Sequence, residues 1–77
     1  MKKKIYSTNL AAFIYMVSHI EPITQVDYNG TVYFLYDETP EMTLLINMYK
    51  NNHVSVDLKQ YINCFRYIRS LMKRTRG

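Results

Sequence analysis

Glycine occurs at only two positions, and one of them marks the sharpest turn in the chain. Gly30 follows Asn29 between two runs rich in β-branched and aromatic residues, 23–28 and 31–36. Asn-Gly between such runs is the strongest short-range signal for a β-hairpin. The other glycine, Gly77, is the last residue. We therefore expect one hairpin here, and neither a glycine-rich phosphate loop nor a dinucleotide-binding fingerprint elsewhere.

The length of the hairpin loop decides which residues of the two strands face each other. A two-residue turn would pair Asp27 with Val32. A three-residue loop over 28–30 would place Gly30 in the left-handed conformation. It would also put four apolar side chains on one face, namely Val26, Val32, Phe34 and Tyr36. We favour the three-residue loop because it buries more apolar surface coherently.

Two stretches show the apolar spacing of a buried helix face. The first follows the capping residues at 7–9 and is expected to stop at Pro22. Its apolar residues are Leu10, Phe13, Ile14 and Val17. The second begins at Thr39-Pro40, a capping hydroxyl followed by a proline in the first turn. Its apolar residues are Met42, Leu45, Ile46 and Tyr49.

A third helix is predicted after Asp57, because Gln60 three residues later completes a capping box. Its expected buried stripe consists of Leu58, Tyr61, Ile62, Phe65, Ile68 and Met72. A short strand is expected at 3–6 and an extended piece at 53–56. The order of the main elements is then β-α-β-β-α-α. This predicts a single small α+β domain over residues 1–77, with an antiparallel or mixed sheet covered by three helices.

The first helix is apolar nearly all round, so it must be buried on more than one side. Its second side carries Ala11, Ala12, Tyr15 and Met16. A domain this small buries only about 60% of the surface that its unfolded chain exposes. We therefore expect a second copy to cover that side, which makes these four residues the interface of a homodimer.

Charge is strongly segregated along the chain. Residues 1–20 carry three lysines and no acid. Residues 21–58 carry all six acids and one lysine. Residues 59–77 carry six cations and no acid. The third helix is therefore a cationic segment in a chain whose middle is acidic.

Five cations of the third helix are candidate partner-binding residues. Lys59, Arg66 and Lys73 are seven residues apart, so about 100° of rotation per residue places them in one strip. Arg69 and Arg76 lie toward the apolar side of that strip. Such a strip can contact phosphates or an acidic partner. The alternatives are a solvated helix face that complements the helix dipole, and pairing with the acidic middle of the chain.

Tyrosine is unusually frequent, with eight in the chain. Four are expected at the edge of a small core with their hydroxyls in water, namely Tyr33, Tyr36, Tyr49 and Tyr61. Tyr15 and Tyr67 lie off the main apolar stripes of their helices, so they are candidates for an interface. Tyr67 therefore joins the cations as a predicted partner-binding residue.

No group of residues has the spacing of a catalytic or metal site. His19 and His53 have no histidine partner at i+4, and Cys64 is the lone cysteine. The acids between residues 37 and 41 lie at a helix N-terminus, where acids are expected for electrostatic reasons. We therefore expect a protein that is not an enzyme and uses neither a cofactor nor a metal.

The first twenty residues imitate a secretory signal, since lysines at 2–4 precede an apolar run at 10–17. That run is short, and residues 18–22 do not form a small-residue cleavage site. The run is also shorter than the roughly 18 residues of a membrane-spanning helix. A lone Cys64 suits a reducing compartment. These features predict a cytoplasmic protein that does not bind membranes.

Four segments resemble a small domain of unknown function found in phages, prophages and other mobile elements of Gram-positive bacteria. They are Tyr6 to Phe13, Val32 to Pro40, Val56-Asp57 and Arg66 to Leu71. The chain departs from that family's pattern in lacking a glycine after the first helix. The family has no catalytic residues to carry over. The resemblance implies a tiny phage accessory protein, often an inhibitor of host defence such as an anti-CRISPR protein, or a small regulator.

The charge pattern and the resemblance together suggest two functions. In the first, the protein binds and blocks a host protein or protein–nucleic acid machine through the cations of the third helix and Tyr67. In the alternative, it is a small DNA- or RNA-binding regulator that uses the same cations directly.

Overall fold

The computed structural model describes residues 2–51 and 55–76, with side chains through Thr75. The elements are β1 (Lys2–Ile5), α1 (Thr8–Ser18), β2 (Ile23–Val26), β3 (Val32–Asp37), α2 (Pro40–Lys50) and α3 (Leu58–Arg76). This order confirms the predicted β-α-β-β-α-α arrangement. His53 and the side chain of Arg76 lie outside the described residues, as does half of the extended piece predicted at 53–56.

The sheet has three strands in the order β1-β3-β2, and both neighbouring pairs are antiparallel. In the hairpin, Val26 pairs with Val32. The amide of Asp27 donates to the carbonyl of Thr31 at 3.0 Å, and Gly30 has a φ of 84°. The predicted three-residue loop is therefore confirmed. The expected burial of Val26 is wrong, because its side chain is 42% exposed at the edge of the sheet.

The helices cover one face of this sheet. Phe34 and Tyr36 of β3 belong to the core cluster that α1, α2 and α3 share with the sheet. Successive side chains of a strand point to opposite faces. Tyr33 and Leu35 therefore lie on the other face, which we call the outer sheet face. The result is a two-layer α+β domain with its core between the sheet and the helices.

Helix α1 lies at the centre of the helical layer. Ala11 and Ala12 are 0% exposed, Met16 is buried, and Tyr15 is half-buried. The hydroxyl of Tyr36 donates to the carbonyl of Ala11 at 3.3 Å, which ties α1 to the sheet. The small alanines permit close approach of the neighbouring elements, above all α3, which packs along α1.

This packing corrects the predicted dimer interface. The sequence correctly indicated that α1 is buried on two sides, but the second cover is α3 of the same chain. Ala11 and Ala12 present no surface to a second copy, Met16 is only 8% exposed, and the Tyr15 ring is stacked on Tyr67 of α3. The reason for expecting a homodimer through these four residues is therefore removed.

The helix starts follow the predicted capping chemistry. Ser7, Thr39 and Asp57 accept hydrogen bonds from backbone amides three residues later, at 3.1, 3.1 and 3.2 Å. The end of α1 differs from the prediction, since the helix stops at Ser18 and not at Pro22. His19 adopts the left-handed conformation there, with a φ of 58°. That position is commonly filled by glycine.

Helix α3 buries a narrower stripe than its sequence predicts. Ile68 and Leu71 are buried, while Tyr61, Phe65 and Met72 are partly buried against the core. Leu58 and Ile62 were also expected in the core. They are 69% and 39% exposed, because the buried side of α3 is rotated away from them. Among the described residues, no helix is both long and apolar enough to cross a membrane.

Candidate functional site

Four of the predicted cations of α3 are exposed, namely Lys59, Arg66, Arg69 and Lys73. At about 1.5 Å of rise per residue, Lys59 and Lys73 are about 21 Å apart along the helix axis. Arg66, Arg69 and Lys73 line one open depression together with Ser70. The fifth predicted cation, Arg76, has no described side chain. The structure therefore places four of the five on one elongated surface.

These cations are not neutralised within the described part of the chain. The salt bridge found there joins Lys2 to Asp37, at 2.5 Å, and involves no residue of α3. Helix α3 itself contains no acid. Pairing of the strip with the acidic middle of the chain, one of the alternatives considered above, does not occur among these residues.

Two apolar side chains share this surface, although the sequence had placed them in the core. A second open depression is lined by Leu58, Lys59, Ile62 and Arg66, with Asp57 and Asn63. We call Leu58, Lys59, Ile62, Arg66, Arg69 and Lys73 the α3 face. The apolar residues lie toward its N-terminal end, and most of the cations lie toward its C-terminal end.

The exposed Leu58 and Ile62 are the part of this site that sequence reasoning missed. Both have the spacing of residues in the apolar stripe of α3, and that spacing alone predicts burial. The sequence did contain one signal of their exposure, which is that the predicted apolar stripe of α3 is wider than one neighbouring helix can cover. At about 100° per residue, Ile62 lies about 120° from Ile68 around the helix, too far for a single neighbouring helix to cover both.

Tyr67 is not part of the α3 face. Its ring stacks on that of Tyr15, with centroids 5.0 Å apart and 26° between the planes. Its hydroxyl donates to the carboxylate of Glu21, and this hydrogen bond raises the pKa of Tyr67 above its ordinary value of 10.0. The two tyrosines predicted to meet a partner instead meet each other. They fasten α3 to α1 and to the segment before β2.

Of the four tyrosines expected at the edge of the core, three have hydroxyls that donate to other residues of the protein. Tyr36 is buried, and burial raises its pKa well above 10.0. The hydroxyl of Tyr36 donates to the carbonyl of Ala11, as described above. The hydroxyl of Tyr33 donates to Gln25 Oε1 at 2.8 Å. Tyr61 donates to Asn9 Oδ1 at 3.0 Å, so α3 is also fastened to the start of α1. Tyr49 packs its ring 5.7 Å from that of Phe13.

Residues with catalytic or metal-binding side chains are scattered. The described part of the chain contains no group of three His, Cys, Asp or Glu side chains that could hold a metal ion. Asp37 is held by Lys2, whose hydrogen bond and positive charge lower the pKa of that carboxyl. Cys64 is a free thiol, half-buried at the edge of the core.

The fold defines the class of protein as a small two-layer α+β domain whose most distinctive surface is the α3 face. The chain belongs to the family described as Domain of unknown function (DUF5659), which matches residues 2–74. No curated protein and no solved structure matches it. Membership confirms the resemblance to a domain of unknown function, and the match includes every element described above, with α3 covered as far as Arg74.

Proposed function

We propose that this protein is a binding protein that attaches to an acidic protein surface through the α3 face. The observation that carries the proposal is the combination of four exposed, unneutralised cations with two exposed apolar side chains on one helix. Charge complementarity attracts an acidic partner and fixes its orientation. The apolar residues add area that is removed from water on binding.

Leu58 and Ile62 favour a protein partner over a nucleic acid backbone. Contacts to phosphates are made by cations and hydrogen-bond donors, so exposed leucine and isoleucine add little to them. A protein interface has an apolar centre and a polar rim in which arginine is enriched. The α3 face carries both components side by side.

The family resemblance supplies the biological context of the proposal. A small accessory protein of a phage or other mobile element would act in the host cytoplasm by occupying a surface that a host machine needs. Binding to an acidic site on a protein–nucleic acid machine would block the contact that the site normally makes. In this account the protein is an inhibitor, of the anti-CRISPR type or directed at another defence.

A second candidate is a small regulator that binds duplex DNA or RNA directly through the same cations. The observation in its favour is their spacing along about 21 Å of helix, a length that can follow several phosphates. It predicts a steep salt dependence, with a log–log slope of about −0.9 per phosphate contacted on duplex DNA.

Quantitative capture from a lysate of the natural host separates the two candidates. Lysate with and without nuclease treatment is applied to four baits: the natural protein, Ile62→Asp, Arg66→Glu and the control Lys50→Glu. Lys50 is an exposed cation on α2, outside the α3 face. We expect one acidic protein to be retained by the natural protein and the control, and lost with the other two. Capture that nuclease abolishes supports the regulator, and equal capture by all four baits contradicts both.

A further inference from the structure

The depression toward the C-terminal end of the α3 face gathers three cations around one point. Arg66, Arg69 and Lys73 line it together with Ser70. At about 100° and 1.5 Å per residue, the three cations fall within about 60° of arc and about 10 Å of helix axis. Ser70 is small and half-buried. The long side chains around it can therefore converge on one group that is bound above Ser70.

None of the described residues that line this depression is an acid. Two acids lie next to α3, and both already accept hydrogen bonds. Glu21 accepts from the hydroxyl of Tyr67. Asp57 accepts from a backbone amide in the first turn of α3, at 3.2 Å, and lies about 18 Å from Arg69 along the helix axis. The hydroxyl of Ser70 donates to the carbonyl of Tyr67 at 2.6 Å and adds no charge. The lining residues therefore leave three positive charges uncompensated.

A phosphate monoester matches this charge better than side-chain carboxylates do. It carries about −1.5 to −2 charges at neutral pH and three strong acceptor oxygens in one group. The planar guanidinium groups of Arg66 and Arg69 have the fork geometry that binds such oxygens in pairs. A carboxylate carries one charge, so two or three of them would have to enter the same depression. Carboxylates at such close quarters repel one another.

We propose that this depression binds a phosphorylated serine or threonine of the partner protein. The inference rests on the function proposed above, and it narrows the acidic partner to a phosphorylated one. Arg66 lines both this depression and the one that contains Leu58 and Ile62. The two depressions are therefore neighbours, and a polypeptide can fill one with its phosphate and the other with an apolar side chain. A nucleic acid backbone offers no apolar side chain and only one charge per phosphate.

The distance between the two depressions determines a suitable probe. Ile62 and Ser70 are about 12 Å apart along the axis of α3. Extended polypeptide rises about 3.3 Å per residue, so about four residues span that distance. The probe is therefore a labelled synthetic peptide with one phosphoserine and a leucine four residues away on each side. Leucines on both sides allow the peptide to bind in either direction.

Fluorescence anisotropy compares this phosphopeptide with two others, in which glutamate or unmodified serine replaces the phosphoserine. We expect the natural protein to bind the phosphopeptide about tenfold more tightly than the glutamate peptide, because the phosphate adds charge-assisted hydrogen bonds to the arginines. The serine peptide should bind most weakly of the three. Binding in this order supports the proposal.

Two arginine variants test whether the depression itself is responsible. Arg69→Gln should remove most of the preference for phosphoserine over glutamate. Arg74→Gln is the matched control, because Arg74 is an exposed arginine of the same helix that does not line the depression. The control should keep the full preference. Both arginines are exposed, so their replacement leaves the core unchanged.

Several results would overturn the proposal. Equal affinity for the phosphoserine and glutamate peptides, or no binding of the phosphopeptide, would exclude a phosphate site. Equal weakening by Arg69→Gln and Arg74→Gln would show attraction to the whole helix. Displacement of the phosphopeptide by duplex DNA at a lower concentration than by unlabelled phosphopeptide would assign the depression to nucleic acid. The acidic-protein function fails separately, when Ile62→Asp and Arg66→Glu capture as much host protein as the natural bait.

Discussion

The ring of Tyr67 in α3 stacks on the ring of Tyr15 in α1, with 5.0 Å between their centroids. This pair lies where two helices of very different composition meet, one nearly apolar and the other cationic. It joins α3 to the core, so that the opposite side of α3 is left to water. Leu58 and Ile62 are exposed because they lie on that opposite side of α3.

Tyr67→Ala is expected to lower the free energy of unfolding by about 2 kcal/mol, because it removes both a half-buried ring and an aromatic pair. Tyr67→Phe keeps the stacking and should cost less than about 1 kcal/mol for the lost hydrogen bond to Glu21. Urea unfolding of the three proteins measures both values. Equal stability of Tyr67→Ala and the natural protein would show that the ring is not part of the α1–α3 contact.

Tyr36 makes stability fall at high pH. Burial raises its pKa above 10.0 in the folded protein, so the unfolded chain loses the phenolic proton first. The resulting stability is present below about pH 10 and declines above it by up to about 1.4 kcal/mol per pH unit. Tyr36→Phe loses the bond to Ala11 and should be about 1 kcal/mol less stable at pH 7.

Urea unfolding of the natural protein and Tyr36→Phe, at several pH values above neutrality, checks this prediction. Because the phenylalanine of the variant has no proton to lose, the two stability curves should converge above about pH 10. A difference that stays constant through this range would contradict the assignment of a raised pKa to Tyr36.

His19→Gly is expected to raise the free energy of unfolding by about 0.5–1 kcal/mol. His19 has a φ of 58° at the end of α1, a conformation in which a Cβ is unfavourable and glycine is not. His19→Ala serves as the control, since it removes the imidazole and keeps the Cβ. Thermal unfolding of both variants checks the prediction, and stabilisation by alanine as large as that by glycine would contradict it.

Gly30→Ala should destabilise the protein by about 1 kcal/mol. A Cβ added at Gly30 meets nothing within 4 Å, so the cost comes from the backbone, whose φ is 84°. Asn29 has no positive φ, and Asn29→Ala should therefore cost less. Chemical unfolding compares the two, and equal losses would point to the two-residue turn instead.

Local chemistry made much of this fold predictable. The hairpin loop follows from Gly30, and the starts of α1, α2 and α3 follow from Ser7, Thr39 and Asp57. Each is decided by hydrogen bonds or dihedral preferences within about four residues. The spacing of apolar residues was sufficient to predict the order of the helices and strands.

What covers each helix could not be predicted in the same way. The composition of α1 shows two buried sides but cannot say whether Ala12 meets α3 or a second copy. The exposure of Ile62 and the pairing of Tyr67 with Tyr15 depend on how α3 is rotated about its axis, which long-range packing sets. The open outer sheet face also emerges only when all three helices are seen on one side.

Site-specific photo-crosslinking tests the role of the α3 face most directly. A photoreactive phenylalanine derivative is placed at Ile62, or at Leu44 as a matched control, because Leu44 is an equally apolar, exposed residue on α2. Each protein is irradiated in the natural host and the products are treated with nuclease. We predict a nuclease-resistant crosslink to one host protein from position 62 and none from position 44. Crosslinks to nucleic acid alone, or to the same protein from both positions, would contradict an acidic protein partner on the α3 face.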